Sequence, residues 1–472
     1  MRKERPVTYV EVAIDTIGFE GIAVGRVDGV VHFVEGALPG ERVTARVKGK
    51  KKRFVEAVAT EIHEPSAYRL EPPCPHFGAC GGCKWQHFDY GEQCVWKRQH
   101  LIDAFERIGH VSVGEYRPTV ACPQPYHYRN KMEFSFGASR WLTNEEIASG
   151  EIFETSFALG LHVPGRFDKV RHLDDCMLQS ALANRILKTT HELAERYGIK
   201  AHHQRFHDGF ARHLVIRTSV ATGAVMAILV TTSPSDDAER AFIASWLDQH
   251  AGLPADSTLV AAVNDTRSPV AVGTIVEQRG PGYLEEDSHG IRYRISPFSF
   301  FQTNTVQLPN LVTRAIDAAD IGSDDVVWDL YCGTGTLTLP AARRAKHVVG
   351  AELVASSIAD ARANAERNGI ANVEFHTVDL HSAAATTLLD SFPKPDVLLV
   401  DPPRAGMHAM LVEHILRIDA PKVVYVSCNP ATQARDCALL AEKYDVRFVT
   451  PVDMFPQTFH VEAVALLERR TE

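Results

Sequence analysis

Residues 326–337 read VVWDLYCGTGTL, an apolar run that ends in a turn with two glycines and leads into a helical pattern. Apolar runs recur downstream with helical patterns between them; they are HVVGAEL (347–353), VEFHTVDL (373–380), DVLLVDPP (396–403), KVVYVSC (422–428) and YDVRFVTP (444–451). This alternation predicts an α/β domain with a doubly wound parallel sheet over residues 301–472. The last run, FHVEAVALLER (459–469), follows too soon for a crossover helix, so we expect an antiparallel last strand.

The glycine turn is the candidate cofactor site of this sheet. Gly333 and Gly335 follow the first strand, where open α/β sheets bind ligands and where glycine lets the backbone approach them closely. Glu352 ends the next strand, where its carboxylate can accept hydrogen bonds from ribose hydroxyls. A dinucleotide-binding fingerprint would have a third glycine at the position of Thr338. The pattern therefore favours a nucleoside cofactor without pyrophosphate, namely S-adenosylmethionine.

Reactive side chains end the later strands. Asp401 closes the fourth run and Cys428 closes the fifth, so both belong at the edge that carries the glycine turn. A thiol there is a candidate nucleophile, and Glu462 on the last run is a candidate general base. The plainer alternatives are a rigid proline turn at Asp401, a buried structural cysteine and a surface carboxylate.

The N-terminal part of the chain predicts two further domains. Five short alternating runs in residues 1–63 indicate a small barrel of the OB type. Its last two strands are joined by a basic tip that could bind phosphate oxygens or could be a solvated hairpin end; its residues are Lys50, Lys51, Lys52 and Arg53. Residues 64–300 predict a central α+β domain, in which residues 91–125 could pack on the catalytic domain.

Three cysteines lie close together in a loop-like stretch before the first long helix. Cys74, Cys80 and Cys83 have the spacing of a soft metal site that needs a fourth ligand. The spacing does not choose between zinc and an iron–sulfur cluster, and free thiols near a loop are the alternative.

Composition sets the broad class of the chain. It has 472 residues, 45% of them hydrophobic and 23% charged, which is the profile of a globular protein and not of a disordered or fibrous one. The absence of a signal-like or membrane-length apolar run leads us to expect a cytoplasmic protein without membrane contact. The net charge of −9 does not favour nucleic-acid binding, although one domain can still present a basic face.

Several segments of the chain resemble the RNA uracil-5-methyltransferase family. They are LYCGTGTLTLP (330–340), DPPRAG (401–406), SCNPATQARD (427–436) and HVEAV (460–464), together with YHYRNKMEFSFG (126–137), RHLVIR (212–217) and FSFFQTN (298–304) upstream. The resemblance implies a class I S-adenosylmethionine methyltransferase sheet and, at the N-terminus, the OB-like RNA-binding module called TRAM. It also implies an enzyme that methylates carbon 5 of a uridine in RNA.

The resemblance assigns roles to residues of the predicted catalytic domain. Cys428 falls on the nucleophile that adds to carbon 6 of uracil, and Glu462 falls on the base that removes the carbon 5 proton. The positions that line the cofactor pocket in this family correspond to Gln302, Tyr331, Thr336, Glu352, Asp379 and Asp401. Thr336 and Asp379 depart from the asparagine or other polar residue that family members often carry at these two places.

The resemblance also bears on the cysteines and on RNA. The ribosomal branch carries a 4Fe-4S cluster on a similar triplet plus a distant cysteine, which corresponds to Cys176 here. We therefore expect an iron–sulfur cluster more than zinc, and 23S ribosomal RNA more than transfer RNA as substrate, for a monomeric enzyme. Residues implied to contact the RNA are Arg129, Phe134 and Phe136.

Two other functions agree with parts of the sequence. An acidic-Pro-Pro motif also serves methyltransferases that act on an amino group or on cytosine, but amino methylation would not need a thiol at Cys428. A non-catalytic RNA-binding or assembly factor could retain the sheet as a scaffold and would not bind S-adenosylmethionine.

Overall fold

A computed structural model describes residues 7–471 of the chain. The first five strands form a closed barrel in the order β1-β2-β3-β5-β4, in which β3 and β5 are parallel and the other neighbours are antiparallel. Alternate residues of these strands point inward and form a separate small core. The predicted OB-type barrel is confirmed. Its strands are β1 (Tyr9–Ile17), β2 (Ala23–Val27), β3 (Val30–Glu35), β4 (Arg42–Lys50) and β5 (Phe54–Glu64).

A long helix follows the cysteine-containing loop. Helix α1 (Tyr90–Ala104) begins at Asp89, whose side chain accepts a hydrogen bond from the Glu92 amide, and its end continues into one π-helical turn. The short strand β6 (Val113–Tyr116) comes next and pairs with a strand near the end of the chain. Residues of the predicted central domain thus contribute to the catalytic sheet.

The central part of the chain forms a seven-stranded sheet in the order β13-β12-β11-β10-β7-β8-β9. Strands β10 and β11 are buried on both faces, which is why their sequences are almost continuously apolar. Helices α3 and α4 pack against one face. The elements are β7 (Lys131–Gly137), α2 (Asn144–Ser149), β8 (Ala158–Val163), β9 (Arg166–His172), α3 (Ala181–Arg196), β10 (Ala211–Thr218), β11 (Val225–Thr231), α4 (Asp237–Asp248), β12 (Thr258–Val263) and β13 (Thr274–Arg279).

The other face of the central sheet shares a core with the catalytic sheet. Val215, Met226 and Ile228 belong to the same buried cluster as Leu311 and Val327 of the C-terminal part. A two-stranded hairpin connects the two parts; it consists of β14 (Leu284–Ser288) and β15 (Ile291–Ile295). The shared core holds the two sheets in one rigid arrangement.

The C-terminal part forms an eight-stranded sheet in the order β18-β17-β16-β19-β20-β22-β21-β6. Strands β16 to β20 are parallel, and β22 is antiparallel to both of its neighbours, as predicted for the last strand. Its elements are α5 (Leu308–Ala319), β16 (Val326–Leu330), α6 (Thr338–Ala342), β17 (His347–Glu352), α7 (Ala355–Arg367), β18 (Val373–Thr377), α8 (Ala383–Leu389), β19 (Val397–Val400), α9 (Ala409–Ile418), β20 (Lys422–Ser427), α10 (Pro430–Leu440), β21 (Tyr444–Val452) and β22 (Glu462–Arg469).

The strand order reverses at β16, which lies between β17 and β19. Connections leave the two sides of this strand in opposite directions and open a crevice at the carboxyl ends of β16 and β19. None of the helices described for residues 7–471 has the length and apolar character needed to cross a membrane. The domain boundaries at residues 63 and 300 stay a prediction.

Candidate active site

The glycine turn after β16 has the backbone conformation that its sequence requires. Gly333 and Gly335 have φ angles of +53° and +90°, and Tyr331 before them is also left-handed, with a φ of +68°. A Cβ atom at Gly335 would lie 3.1 Å from the Leu339 side chain. The turn therefore brings backbone amides close to the crevice without a side chain in the way.

Glu352 is fixed at the end of β17 by the turn. Its carboxylate accepts hydrogen bonds from the Gly333 amide at 3.2 Å and from the Val354 amide at 2.9 Å. A carboxylate has about four acceptor positions, so others remain for ligand hydroxyls. The acid and the glycine turn form one rigid unit.

A second acid lies beneath the turn. Asp329 is 1% exposed, accepts a hydrogen bond from the Thr338 hydroxyl at 2.5 Å, and leaves its other carboxylate oxygen without a partner among the described residues. Burial raises the pKa of Asp329 from its ordinary value of 3.8 to about 7, and the charge of Glu352 adds to the shift.

One cavity of about 580 Å³ opens at the carboxyl ends of the strands. This volume is in the range of pockets that hold a nucleoside-sized ligand. Gly335 belongs to the turn but not to the cavity wall. The predicted cofactor residues that line the cavity are Gln302, Tyr331, Gly333, Thr336, Glu352, Asp379 and Asp401.

The predicted reactive residues line the same cavity. Cys428 follows β20 and Glu462 begins β22, and both share the wall with Asp401. Burial raises the pKa of the Cys428 thiol to about 12, and the charges of Glu462 and Asp401 add to it, while Arg404 acts in the opposite direction. Burial and then the charge of Asp401 also raise the pKa of Glu462. A higher pKa makes the Glu462 carboxylate a stronger base when it is ionised.

The Asp-Pro-Pro turn is tied to the segment that carries the thiol. The Asn429 side chain caps helix α10 and also donates to the Arg404 carbonyl at 2.9 Å. Gly406 has a φ of +79°, and a Cβ atom there would collide with the Arg435 and Asp436 side chains of the helix. The Asp-Pro-Pro turn and the segment that carries Cys428 therefore hold each other in place.

The loop of residues 453–461 leads directly into Glu462. The Lys97 ammonium donates to Asp453 at 2.6 Å and to the Phe455 carbonyl at 3.0 Å, and both charged side chains are fully buried. The side-chain amide of Gln93, on the same helix, donates to the Gln457 side-chain oxygen and accepts from the Gln457 backbone amide. Helix α1 thus sets the position of the loop, although it lies far away in the sequence.

A second cavity, of about 550 Å³, lies beside the first. It is lined by all four predicted metal ligands, Cys74, Cys80, Cys83 and Cys176. Burial raises the pKa of Cys80 to about 11 and that of Cys83 to about 12, and the neighbouring cysteines add to both shifts. Four half-buried thiols match the donor set of an iron–sulfur cluster. As placed, however, the side chains of residues 7–471 form no group of three or more that could hold a metal ion.

The two cavities share part of their walls. Arg129, Thr303 and Phe455 line both of them. Sequence reasoning named only Arg129 of these three, and as an RNA contact. Phe455 lies in an irregular loop without periodicity, so no pattern marks it. Arg404, which lines the catalytic cavity, follows the Asp-Pro-Pro motif directly and could have been found from that motif.

The structure separates the predicted RNA-contacting residues into two groups. Phe134 and Phe136 are 0% and 4% exposed and pack in the core of the central domain, so the prediction that they contact RNA is wrong. Alternation in β7 turns both rings inward, toward the core side. The basic side chains of the tip are exposed and remain available; they are Lys50, Lys51, Lys52 and Arg53.

Comparisons with known proteins agree with this fold and site. A family model described as tRNA (uracil-5-)-methyltransferase matches residues 281–470, and a TRAM domain model matches residues 3–60. A relative in Bacteroides thetaiotaomicron, named an uncharacterized RNA methyltransferase, is 39% identical over 96% of this chain and 99% of its own. One in Chlorobaculum tepidum with the same description is 41% identical over 94% and 92%.

A solved structure is similar over nearly the whole chain. The tRNA (uracil-54, C5)-methyltransferase of Pyrococcus abyssi, solved with S-adenosyl-L-homocysteine, is 28% identical, covers 97% of this chain and 99% of its own, and has a TM-score of 0.74. Fold and site thus define an S-adenosylmethionine-dependent methyltransferase that acts on RNA. The chain belongs to the RNA uracil-5-methyltransferase family.

We predict that Asp329→Asn flattens the pH dependence of stability. The Asp329 carboxyl has a pKa of about 7 in the folded protein and about 4 in the unfolded chain, so the folded state holds its proton more tightly. The free energy of unfolding therefore falls as the pH rises from about 4 to about 7. The asparagine variant loses this contribution and retains an acceptor for Thr338. Urea unfolding at several pH values measures the slope of the free energy of unfolding against pH.

The control is Asp237→Asn, which changes a fully exposed carboxylate and should keep the wild-type slope. An unchanged slope in Asp329→Asn would contradict the raised pKa.

Proposed function

We propose that the enzyme methylates carbon 5 of a uridine through a covalent bond between Cys428 and carbon 6. The observation that supports this most is the shared cavity, in which Cys428, Glu462 and Asp401 face the glycine turn. Neither an amino methyltransferase nor a scaffold protein needs a thiol and a buried acid at that place.

The chemistry follows from the poor nucleophilicity of carbon 5. The Cys428 sulfur adds as thiolate to carbon 6, and the electrons of the 5,6 double bond move toward carbon 5 and the neighbouring carbonyl, which makes carbon 5 nucleophilic. S-adenosylmethionine, when bound, supplies an electrophilic methyl group. The Glu462 carboxylate then removes the carbon 5 proton, the double bond re-forms, and the Cys428 thiolate is expelled.

The burial of these groups suits the two proton transfers. Glu462 and Asp401 both have raised pKa values, because burial penalises their charged forms. Their charges also raise the pKa of Cys428, so a proton that passes from the thiol to Asp401 favours the thiolate and leaves the Glu462 carboxylate free to accept the carbon 5 proton. We assign cofactor binding to the turn around Gly333 and Gly335 and to Glu352, with Gln302, Tyr331, Thr336, Asp379 and Asp401 around them.

We predict that RNA containing 5-fluorouridine traps the enzyme, because fluorine at carbon 5 does not leave as a proton does. A complex that survives denaturation should form with the wild-type enzyme. It should not form with Cys428→Ser. Glu462→Gln should accumulate the corresponding methylated adduct, with hydrogen in place of fluorine at carbon 5, on ordinary RNA, because the proton removal that leads to expulsion of the thiolate is blocked. Denaturing gels with labelled RNA measure both. Full methyl transfer by Cys428→Ala would refute the covalent mechanism.

We propose 23S ribosomal RNA as the substrate, with transfer RNA as the second candidate. The four-cysteine cavity and the barrel resemble the ribosomal branch, whereas the Pyrococcus abyssi structure is named for a transfer RNA position. We expect that deletion of the gene removes one 5-methyluridine from 23S ribosomal RNA. Mass-spectrometric mapping of ribosomal and transfer RNA from cells with and without the gene decides between the two. The modification should return with the wild-type gene but not with Cys428→Ala.

We also propose that Cys74, Cys80, Cys83 and Cys176 bind a 4Fe-4S cluster. Buried thiols are unfavourable as free thiolates, and iron would stabilise that charge. Protein purified without oxygen should be brown and contain about four iron and four sulfide per chain. Cys176→Ser should lower both contents, and Cys94→Ser, at a thiol outside this cavity, should leave them unchanged. If the protein instead contains one zinc ion per chain and no sulfide, the four cysteines form a zinc site and the 4Fe-4S assignment is wrong.

A further inference from the structure

A run of aromatic rings leads from the N-terminal barrel to the boundary between the two cavities. Phe19, in the loop between β1 and β2, is 39% exposed, and its ring centroid lies 6.5 Å from that of Phe459. The Phe459 ring lies 4.1 Å from the His460 ring at an interplanar angle of 44°. We call Phe19, Phe459 and His460 the aromatic stripe. Both Phe459 and His460 are partly exposed, so each residue of the stripe reaches solvent.

The stripe ends between the two cavities, because His460 lines the four-cysteine cavity and contacts Arg404 of the catalytic cavity. The Arg404 guanidinium donates to the Nδ1 atom of His460 at 3.1 Å, and Arg404 lines the cavity together with Cys428. Because Nδ1 accepts this hydrogen bond, the imidazole carries its proton on Nε2 and is neutral. Burial and then the charge of Arg404 lower the pKa of His460 to about 4, in agreement with a neutral ring. A neutral flat ring next to the cavity suits contact with a base.

Tight packing holds the stripe in place from beneath. Trp85 is 0% exposed and donates from its indole to the Gly21 carbonyl at 3.2 Å. Gly21 has a φ of +75°, and a Cβ atom there would lie 2.9 Å from Trp85 and 3.0 Å from Phe459. The barrel loop and the loop of residues 453–461 therefore cannot separate without breaking this contact.

Two exposed basic residues are bonded to the segments that carry the stripe. Lys84 is exposed, and its backbone amide donates to the Gln457 carbonyl at 2.9 Å, two residues before Phe459. Arg404 is exposed at the cavity end. Rings for bases combined with cations for phosphates are what proteins use to bind single-stranded nucleic acid. A duplex would keep its base faces stacked on one another and could not use the rings.

We propose that the aromatic stripe binds the nucleotides next to the target uridine as a single strand and leads them from the barrel to the catalytic cavity. The target base must leave its stack to reach Cys428, and the stripe provides new stacking partners for its neighbours. The proposal rests on the RNA substrate of the family and on the proposed location of the reaction, but not on the covalent roles of Cys428 and Glu462.

The test measures binding of a short fluorescein-labelled oligouridylate to the full-length protein by anisotropy. Phe19→Ala and Phe459→Leu should each weaken binding about 10-fold, within the range found when one base loses an aromatic partner. Phe459→Tyr keeps a ring and should bind as the wild type does. Lys84→Ala should lower the slope of log affinity against log salt by about 0.7, the value for one phosphate contact.

Matched controls separate the stripe from general damage. Phe206→Ala removes an aromatic side chain that is 69% exposed and lies outside the stripe, and it should not change binding. Binding of S-adenosylhomocysteine by calorimetry shows that each variant is folded. Wild-type affinity for the oligouridylate in folded Phe19→Ala and Phe459→Leu, or an equal loss with duplex RNA, overturns the proposal. Failure of the covalent mechanism would appear differently, as methyl transfer that survives Cys428→Ala.

Discussion

The buried ion pair between Lys97 and Asp453 is the interaction on which the active site depends most. Neither side chain reaches solvent. The Lys97 ammonium also donates to the Phe455 carbonyl, and the Asp453 carboxylate accepts from the Phe455 amide. Removal of one partner from such a pair costs about 3–5 kcal/mol, because a buried charge is left alone. The pair fixes the start of the loop of residues 453–461, and this loop carries a wall residue of both cavities before it enters β22. The position of Glu462 is thus set by a helix from another part of the chain.

The same arrangement explains how three parts of the chain make one site. The catalytic sheet supplies the cofactor turn and the thiol from its carboxyl edge, where strand order dictates a crevice. The cysteine loop contributes Trp85, which joins the barrel to Phe459, and the central sheet shares its core with the catalytic sheet. The contact between Trp85 and Phe459 therefore ties the barrel to the loop that leads into the catalytic cavity.

Local patterns in the sequence predicted much of this structure. The parallel strands, the antiparallel last strand and the barrel each follow from periodicity, and the glycine turn follows from residue type. The prediction failed where burial depended on tertiary packing, since nothing in YHYRNKMEFSFG tells which face of β7 meets the core and covers Phe134 and Phe136. The aromatic stripe was equally hidden, because Phe19 and Phe459 become neighbours only after the whole chain has folded.

Pairing of β6 with β21 has a consequence for synthesis of the protein. Val113 meets Val446, so the strand that completes the edge of the catalytic sheet is made early and must wait for most of the remaining chain before its partner exists. Contacts between residues so far apart in the sequence form late, and they reduce the rate of folding. Until then, the apolar elements of the N-terminal half remain partly uncovered and are prone to aggregate. The catalytic cavity is therefore assembled among the last features to fold, and a nascent chain without the segment from β21 to β22 lacks Phe455 and Glu462 of the cavity wall.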